Sequence, residues 1–545
     1  MTSKLVSLYF ISIILLLVSC SKSEEDSPTN NNNKSYLYFN DKELRVSSGA
    51  AEYKLNIDWA YTKWKISIES GDIINSITPS SGGWEDGKPQ TTTITISCNA
   101  NIGLKERTQT ITLTDEIKKT STQLTIIQES AVGIVNLSIN PSQKFQPVVG
   151  FGGMYNPKIW CGGNLINGSQ LLKMYGKDEL GYNILRLMIY PNEADWSADV
   201  AAAKIVQSLG GKVFACPWDC TDELSEKIIV NGREVKHLKK ENYTAYANHL
   251  IRYIEYMKGQ GVKLHAISVQ NEPDMEFTYW YPKEVVEFVK QEGARIRETG
   301  VQLMSPEACG TQPEYTDLII NDSEAMAQTD IIAGHIYQGF IDVESGNYVK
   351  NRHDYICSLY NRLSGKTWWM TEHLFNDGEK ESDSSKWLFQ RWDYVLNHLA
   401  KEIHMTMDGN CSAYVYWYLK RFYGMMGDSD NRSPVADGEI TKNGYVLSHY
   451  AKFASNCTRF AIQSDAKDIQ ATAYINKDGN EINIVALNFG KSAYLLSIDY
   501  PGVKSAIAQE TNEKVNMKYL IVEQSNNKCY IPISEQSIVS IRLKI

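Results

Sequence analysis

Three features are missing from this chain of 545 residues, and each absence excludes something. There is no basic surplus. Lys and Arg number 55 against 64 Asp and Glu, for a net charge of −9 and a pI near 5.6. Binding nucleic acid calls for a basic footprint, so no nucleic-acid partner is expected. There is no membrane-spanning run at the N-terminus. The apolar stretch Leu5 to Ser19 covers 15 residues, short of the roughly 20 that a transmembrane helix needs. There is also no complete metal-ligand pattern. Cys216 and Cys220 form a C-x₃-C pair, but no second pair or His cluster completes a zinc site.

What is present begins with a targeting segment, residues 1–19, in which Lys4 precedes the apolar run. It ends in Leu17-Val18-Ser19-Cys20, which resembles the lipobox of bacterial lipoproteins. That resemblance implies that Cys20 is acylated and anchors the protein to a membrane. Ser21-Lys22-Ser23-Glu24-Glu25-Asp26 resembles the acidic signal that sends some lipoproteins to the outer cell surface. The expected location is therefore the outer membrane, facing outward; a chance acidic linker is the alternative. Ten cysteines are present and nine remain without Cys20, so at least one thiol is free. Export permits disulfides, but sequence does not pair them.

Residues 20–34 read as a flexible tether, rich in Ser, Asn, Glu and Pro. From 35 to 132 short alternating segments such as Glu52–Ile57 and Lys63–Ile68 recur between polar turns, the pattern of a small immunoglobulin-like β-sandwich. With Trp59 and Trp64 in its middle and a closing Leu-Thr-Ile-Ile-Gln-Glu, this stretch resembles the BACON domain of bacterial surface glycan enzymes. The resemblance implies either glycan binding or a spacer, and the spacer is favoured. From 148 to 455 strands and helical patterns alternate eight times. The expected strands are Val148–Met154, Asn183–Tyr190, Lys212–Trp218, His265–Gln270, Gln302–Glu307, Ile331–Gln338, Thr367–Glu372 and Cys411–Tyr418. Eight βα units predict an α/β fold, a (β/α)8 TIM barrel. Residues 456–545 return to alternating strands. With 133–147, which has no partner of its own, they are expected to form a side β-sandwich.

Two carboxylates stand at strand ends in this scheme. Glu272 follows Val269-Gln270-Asn271 on unit four, and Glu372 follows Trp368-Trp369-Met370-Thr371 on unit seven. Barrel enzymes carry their chemistry at the C-terminal ends of strands, and a retaining glycosidase needs one acid/base and one nucleophile. Glu272 is the expected acid/base, with a pKa above that of an ordinary Glu through burial and the second carboxylate. Glu372 is the expected nucleophile, kept ionised by donors drawn from His373, His335 and Tyr337. A core histidine is the competing reading of His335. Asn271 is placed to bond the sugar 2-OH. On unit eight, Trp417 is expected to floor a sugar subsite. The loop Lys420-Arg421-Phe422-Tyr423 beyond it brings cations beside an aromatic in an acidic protein, which suggests an anionic substituent held by Arg421. A structural salt bridge is the competing reading of Arg421. Two carboxylates suffice for this chemistry, so no metal or organic cofactor is expected.

Gln-Asn-Glu-Pro-Asp, Trp-Met-Thr-Glu-His and Trp-Tyr-x-x-Arg-x-Tyr-Gly together resemble glycoside hydrolase family 30, and most closely its glucuronoxylanase subfamily in clan A. Phe151-Gly152-Gly153 and Pro217-Trp218 also fit. The likeness covers about residues 134–545. It implies a barrel with a side β-sandwich and an endo-acting enzyme that cuts xylan relative to a 4-O-methylglucuronic acid branch, so glucuronoxylan is the expected partner. It further implies that Trp417, Tyr418, Arg421 and Tyr423 hold the glucuronate and that Trp218 lines the cleft. The sequence departs from the pattern at Phe422, at Leu374 and in Asp219-Cys220-Thr221-Asp222, all at the cleft rim. Another family activity, an endo-β-1,6-glucanase or an exo-β-glycosidase, and a non-catalytic glycan-binding lipoprotein are the alternatives.

Overall fold

The structure is a computed structural model. It describes residues 34–545 except 102, 162–164, 312, 338–349, 375–381, 383–386, 388–390 and 526. Cys20, the targeting segment and nearly all of the tether lie outside the described residues. No described helix is long and apolar enough to cross a membrane.

Eight parallel strands close a barrel: β1 Gly150–Met154, β2 Ile184–Ile189, β3 Lys212–Pro217, β4 Ala266–Ser268, β5 Gln302–Ala308, β6 Ile331–His335, β7 Thr367–Glu372 and β8 Ala413–Tyr416. β1 closes the ring, with Phe151 opposite Tyr414 on β8 and Gly152 opposite Ile184 on β2. A Cβ on Gly152 would collide with the Ile184 carbonyl, which is why the Phe-Gly-Gly motif needs glycine there. Side chains alternate along a strand with period two. Ile184, Phe214, Ala266, Met304, Ala333, Trp369 and Val415 therefore point inward together and form a dry plug. The next inward positions, one step toward the C-terminal ends, are polar: Arg186, Cys216, Ser268 and His335. They form the floor of the site.

The flanking helices obey ordinary start and stop rules. Pro282–Arg297 begins on a proline, the Glu284 carboxylate accepts from the Tyr281 N–H at 2.7 Å, and Gly300 at φ +88 ends the turn that follows. The last barrel helix runs Lys442–Ala454 and is started by the Thr441 hydroxyl, which caps the Gly444 N–H at 3.2 Å. Between β3 and the next helix lies a hairpin, Ser225–Val230 with Arg233–Leu238, which sequence reading missed. Its Asn231-Gly232 turn, with φ +50 and +78, is the residue pair that two-residue hairpins favour.

Two β structures flank the barrel. At the N-terminus, a four-stranded and a five-stranded sheet enclose Trp59 and Trp64, forming an all-β sandwich. At the other end, a ten-stranded sheet folds over its own core into a side β-sandwich. Within it, Ile134–Val148 pairs antiparallel with Cys457–Ser464 and parallel with Tyr494–Asp499. The helix Lys442–Ala454 lies between barrel and side sheet. Its buried His449 reaches Ser540 Oγ at 2.7 Å and Thr511 Oγ1 at 2.8 Å, so both ring nitrogens are satisfied. The N-terminal sandwich rests on the side sheet. Lys518 Nζ donates to Ser97 Oγ at 2.9 Å and to the Cys98 carbonyl at 2.6 Å, while Ala50 and Ala100 join the side-sheet core. All nine described cysteines are free thiols.

Candidate active site

Glu272 and Glu372 are both buried at the C-terminal mouth of the barrel. An oxygen of each lies within 4.8 Å of the other, and an imidazole nitrogen of His335 lies within that distance of both. Retaining glycosidases hold their carboxyls about 5–5.5 Å apart and inverting ones about 6.5–9.5 Å apart; this pair fits the retaining geometry. Glu272 sits just past β4 in left-handed backbone, φ +43, with its N–H on the Glu307 carbonyl at 3.0 Å. A non-glycine residue in that region costs about 1–3 kcal/mol, a strain that recurs at functional sites.

The Glu372 carboxylate is held by Tyr337, whose hydroxyl donates to Oε1 at 2.6 Å, and by Arg186, whose guanidinium donates to Oε2. Of the three donors expected for Glu372, only Tyr337 bonds it. His335 turns to Glu272 instead, with Nδ1 2.9 Å from Oε1. His373 points away, its Nδ1 2.7 Å from the buried Glu402. Arg186 takes their place. It is fully buried and also donates to Asn271 Oδ1 at 2.7 Å, with its guanidinium carbon 4.6 Å from the Trp218 ring centre. Because Arg186 claims the Asn271 oxygen, the Asn271 Nδ2 is left buried with no hydrogen-bond partner among the described residues. It is a donor available to a sugar hydroxyl.

Charge in this cluster corrects one expectation. Burial alone would raise the Glu272 pKa, but hydrogen bonding and charge from His335, with help from Cys309 and Arg186, hold it below the ordinary value. His335 is the counterpart. Burial disfavours its charge, yet Glu372, Glu272 and Glu307 together raise its pKa to about 9. Glu307 at the end of β5 is pushed up by burial and pulled down further by Arg186 and His335, to about 2. A divalent cation among Glu272, His335 and Glu372 would meet the Arg186 guanidinium and a protonated imidazole, and like charges oppose it.

Aromatic rings wall the mouth. Trp160, after β1, lies 5.6 Å from Trp218 and 5.5 Å from Trp417, and Trp218 lies 5.9 Å from Trp417. Trp218 ends β3, and the Trp417 N–H reaches the His373 carbonyl at 2.9 Å. Beyond β8, Arg421 donates to the Trp160 carbonyl, stands 3.6 Å from Asp428 and lies 5.7 Å from the Tyr423 ring centre. One expectation here is corrected. Tyr418 has no exposed surface, and its hydroxyl bonds the Asn156 backbone at 2.5 Å, so it braces the wall from behind. Lys420 turns away to the Leu165 carbonyl at 3.0 Å and to Asp437 at 2.9 Å. Arg432 supplies a second cation instead: it stacks 3.7 Å from the Phe422 ring centre and pairs with Asp430.

No family model matches the chain. It is 31% identical over 400 residues to glucuronoxylanase XynC of Bacillus subtilis, covering 72% of this chain and 85% of that protein. The chain belongs to glycoside hydrolase family 30. Two solved members of family 30 share the fold. The endoxylanase of Clostridium papyrosolvens matches with a TM-score of 0.64 at 29% identity, over 75% of this chain and all of that one. The subfamily 8 xylanase of Clostridium acetobutylicum matches with 0.60 at 27%, again over 75% and 100%. The protein is a glycoside hydrolase of this family. Sequence reasoning missed three of the residues placed around the two carboxylates. Arg186 left a signal, because an arginine inside the apolar run Ile184-Leu185-Arg186-Leu187-Met188-Ile189 demands a buried counter-charge. Glu307 and Trp160 left none comparable.

Proposed function

We propose that this hydrolase is a retaining endo-β-1,4-xylanase that cuts glucuronoxylan with recognition of its (4-O-methyl)glucuronic acid branches. The observation that carries the reaction is the Glu272–Glu372 pair, within 4.8 Å on β4 and β7. Glu372, held between Tyr337 and Arg186, attacks the anomeric carbon and forms a glycosyl-enzyme. Glu272 protonates the leaving oxygen and then deprotonates the incoming water. Asn271 Nδ2 donates to the 2-OH of the reacting xylose. The xylan backbone is supported by the glucuronoxylanase that the chain resembles. The acidic branch is supported by Arg421, part-exposed beside Tyr423, whose five N–H donors exceed its contacts among the described residues.

Two experiments test this reading. Glu272→Gln and Glu372→Gln should each lower turnover of glucuronoxylan by at least ~10³-fold, by analogy with the loss of a catalytic acid/base or nucleophile. Near-normal sugar release by either variant rejects the pair. Arg421→Ala should cost at least tenfold more in kcat/KM on glucuronoxylan than on undecorated xylooligosaccharides. Equal losses on both reject Arg421 as the branch clamp and favour a neutral glycan.

A further inference from the structure

Glu307 has no task in the reaction described above, yet it is the charged group behind the acid/base. It ends β5 in left-handed backbone, φ +60, and is fully buried. Its Oε2 accepts from the Cys216 thiol at 2.7 Å. Among the described residues its Oε1 accepts no hydrogen bond of good geometry, and it faces two cationic groups, Arg186 Nη2 at 3.5 Å and His335 Nε2 at 3.9 Å. The His335 ring therefore has a carboxylate at each nitrogen: Glu272 at Nδ1 and Glu307 at Nε2. Five groups bear on that ring: Arg186, Glu272, Glu307 and Glu372 from other strands, and Tyr337 from just beyond its own strand. Cys309 also hydrogen-bonds Glu272, whose charge in turn bears on Asp274. Arg186 Nη2 is also 3.5 Å from His335 Nε2 and opposes a proton there. Glu307 is the carboxylate placed against that nitrogen, while the charges of Glu372 and Glu272 also favour a protonated ring.

We propose that Glu307 is a positioning residue for the acid/base. Its buried charge keeps Nε2 of His335 protonated, so that Nδ1 holds the mobile proton and His335 and Glu272 carry that proton as one unit. The inference rests on the assignment of Glu272 as acid/base. In the resting pair the proton lies on Nδ1. In the first half-reaction it passes to Glu272 and on to the leaving oxygen as the C1–O bond breaks, its electron pair stays with that oxygen, and Glu372 bonds C1. His335 is then neutral, with its hydrogen on Nε2. In the second half-reaction water bonds C1, the C1–Glu372 bond breaks, and the proton lost by water returns through Glu272 to Nδ1. Glu307 stays ionised throughout. The arrangement follows the general rule that a carboxylate at one imidazole nitrogen fixes which nitrogen does the chemistry.

The test uses the full chain with ¹³C-labelled histidine. The His335 signal is identified by its loss in His335→Gln and followed with pH. In the wild type it should titrate near 9. In Glu307→Gln the midpoint should fall by at least one pH unit, a tenfold loss of proton affinity. The alkaline limb of kcat/KM on xylooligosaccharides should fall with it. kcat/KM for a dinitrophenyl xylobioside, set by a first half-reaction whose leaving group needs no acid, should change less than about threefold. A wild-type midpoint below 7 overturns the proposal without any variant. A Glu307→Gln protein that loses activity with both midpoint and limb unmoved shows a merely structural role and overturns it too. Failure of the underlying assignment is separate: there, Glu272→Gln keeps its activity on glucuronoxylan.

Discussion

Arg186 does the work of several residues. One guanidinium neutralises Glu372, fixes the orientation of Asn271 and lies over Trp218. It can do so because the group is planar and forked, whereas a lysine ammonium is a single point of charge. Removing a buried partner leaves the other charges uncompensated, at a cost of about 3–5 kcal/mol. Arg186→Met is therefore expected to lower the unfolding free energy by about that amount, read from denaturant titrations. Arg186→Lys should fold and still lose at least ~10²-fold in kcat, because one ammonium cannot serve Glu372 and Asn271 together. A Lys variant with near wild-type kcat would reduce Arg186 to a structural cation.

Among the elements, the strand ends hold both the chemistry and the backbone strain. Glu272 and Glu307, at the ends of adjacent strands, both sit in left-handed backbone at φ +43 and +60. The site is assembled where strands stop being regular. The side sheet holds a different kind of buried charge. Glu510, on Ser505–Thr511, is fully buried and accepts the Ser534 N–H at 2.8 Å, but faces no cation close enough to outweigh its desolvation. Burial raises its pKa from 4.5 to about 7. A carboxyl whose pKa is raised on folding destabilises the fold as pH climbs from the unfolded value through the folded one. Glu510→Gln keeps the Oε1 acceptor and removes the charge. It should leave Tm nearly unchanged at pH 4.5 and raise it by several degrees at pH 8. A Tm gain that is the same at both pH values would contradict the buried-charge account.

The whole molecule places its N-terminal sandwich against the side sheet, through Lys518 with Ser97 and Cys98 and through Ala50 and Ala100. The barrel mouth opens among Trp160, Trp218 and Trp417, none of which belongs to those contacts. Deleting the chain up to residue 132 should therefore leave kcat on soluble xylan within about twofold, while lowering Tm by a few degrees as small apolar surfaces are exposed. A tenfold fall in kcat on a soluble substrate would mean that the sandwich acts on the site.

Periodicity and spacing alone were enough to read the eight strands, the side sheet and the two strand-end glutamates. Those signals are local: period-two runs, Pro and Gly boundaries, and acids placed just past apolar strands. Tripeptide context picked out Asn271, Tyr337 and Trp417. Partner choice was decided only in three dimensions. Whether His335 faced Glu272 or Glu372, whether Tyr418 lay in the cleft or behind it, and whether Lys420 pointed inward all depended on which way each side chain turned once the ring had closed. The direction of the Glu272 pKa depended on a sum over Arg186, His335 and Cys309, brought together from β2, β6 and the end of β5. Burial and charge oppose each other there, and only the distances between residues far apart in the chain determine which prevails.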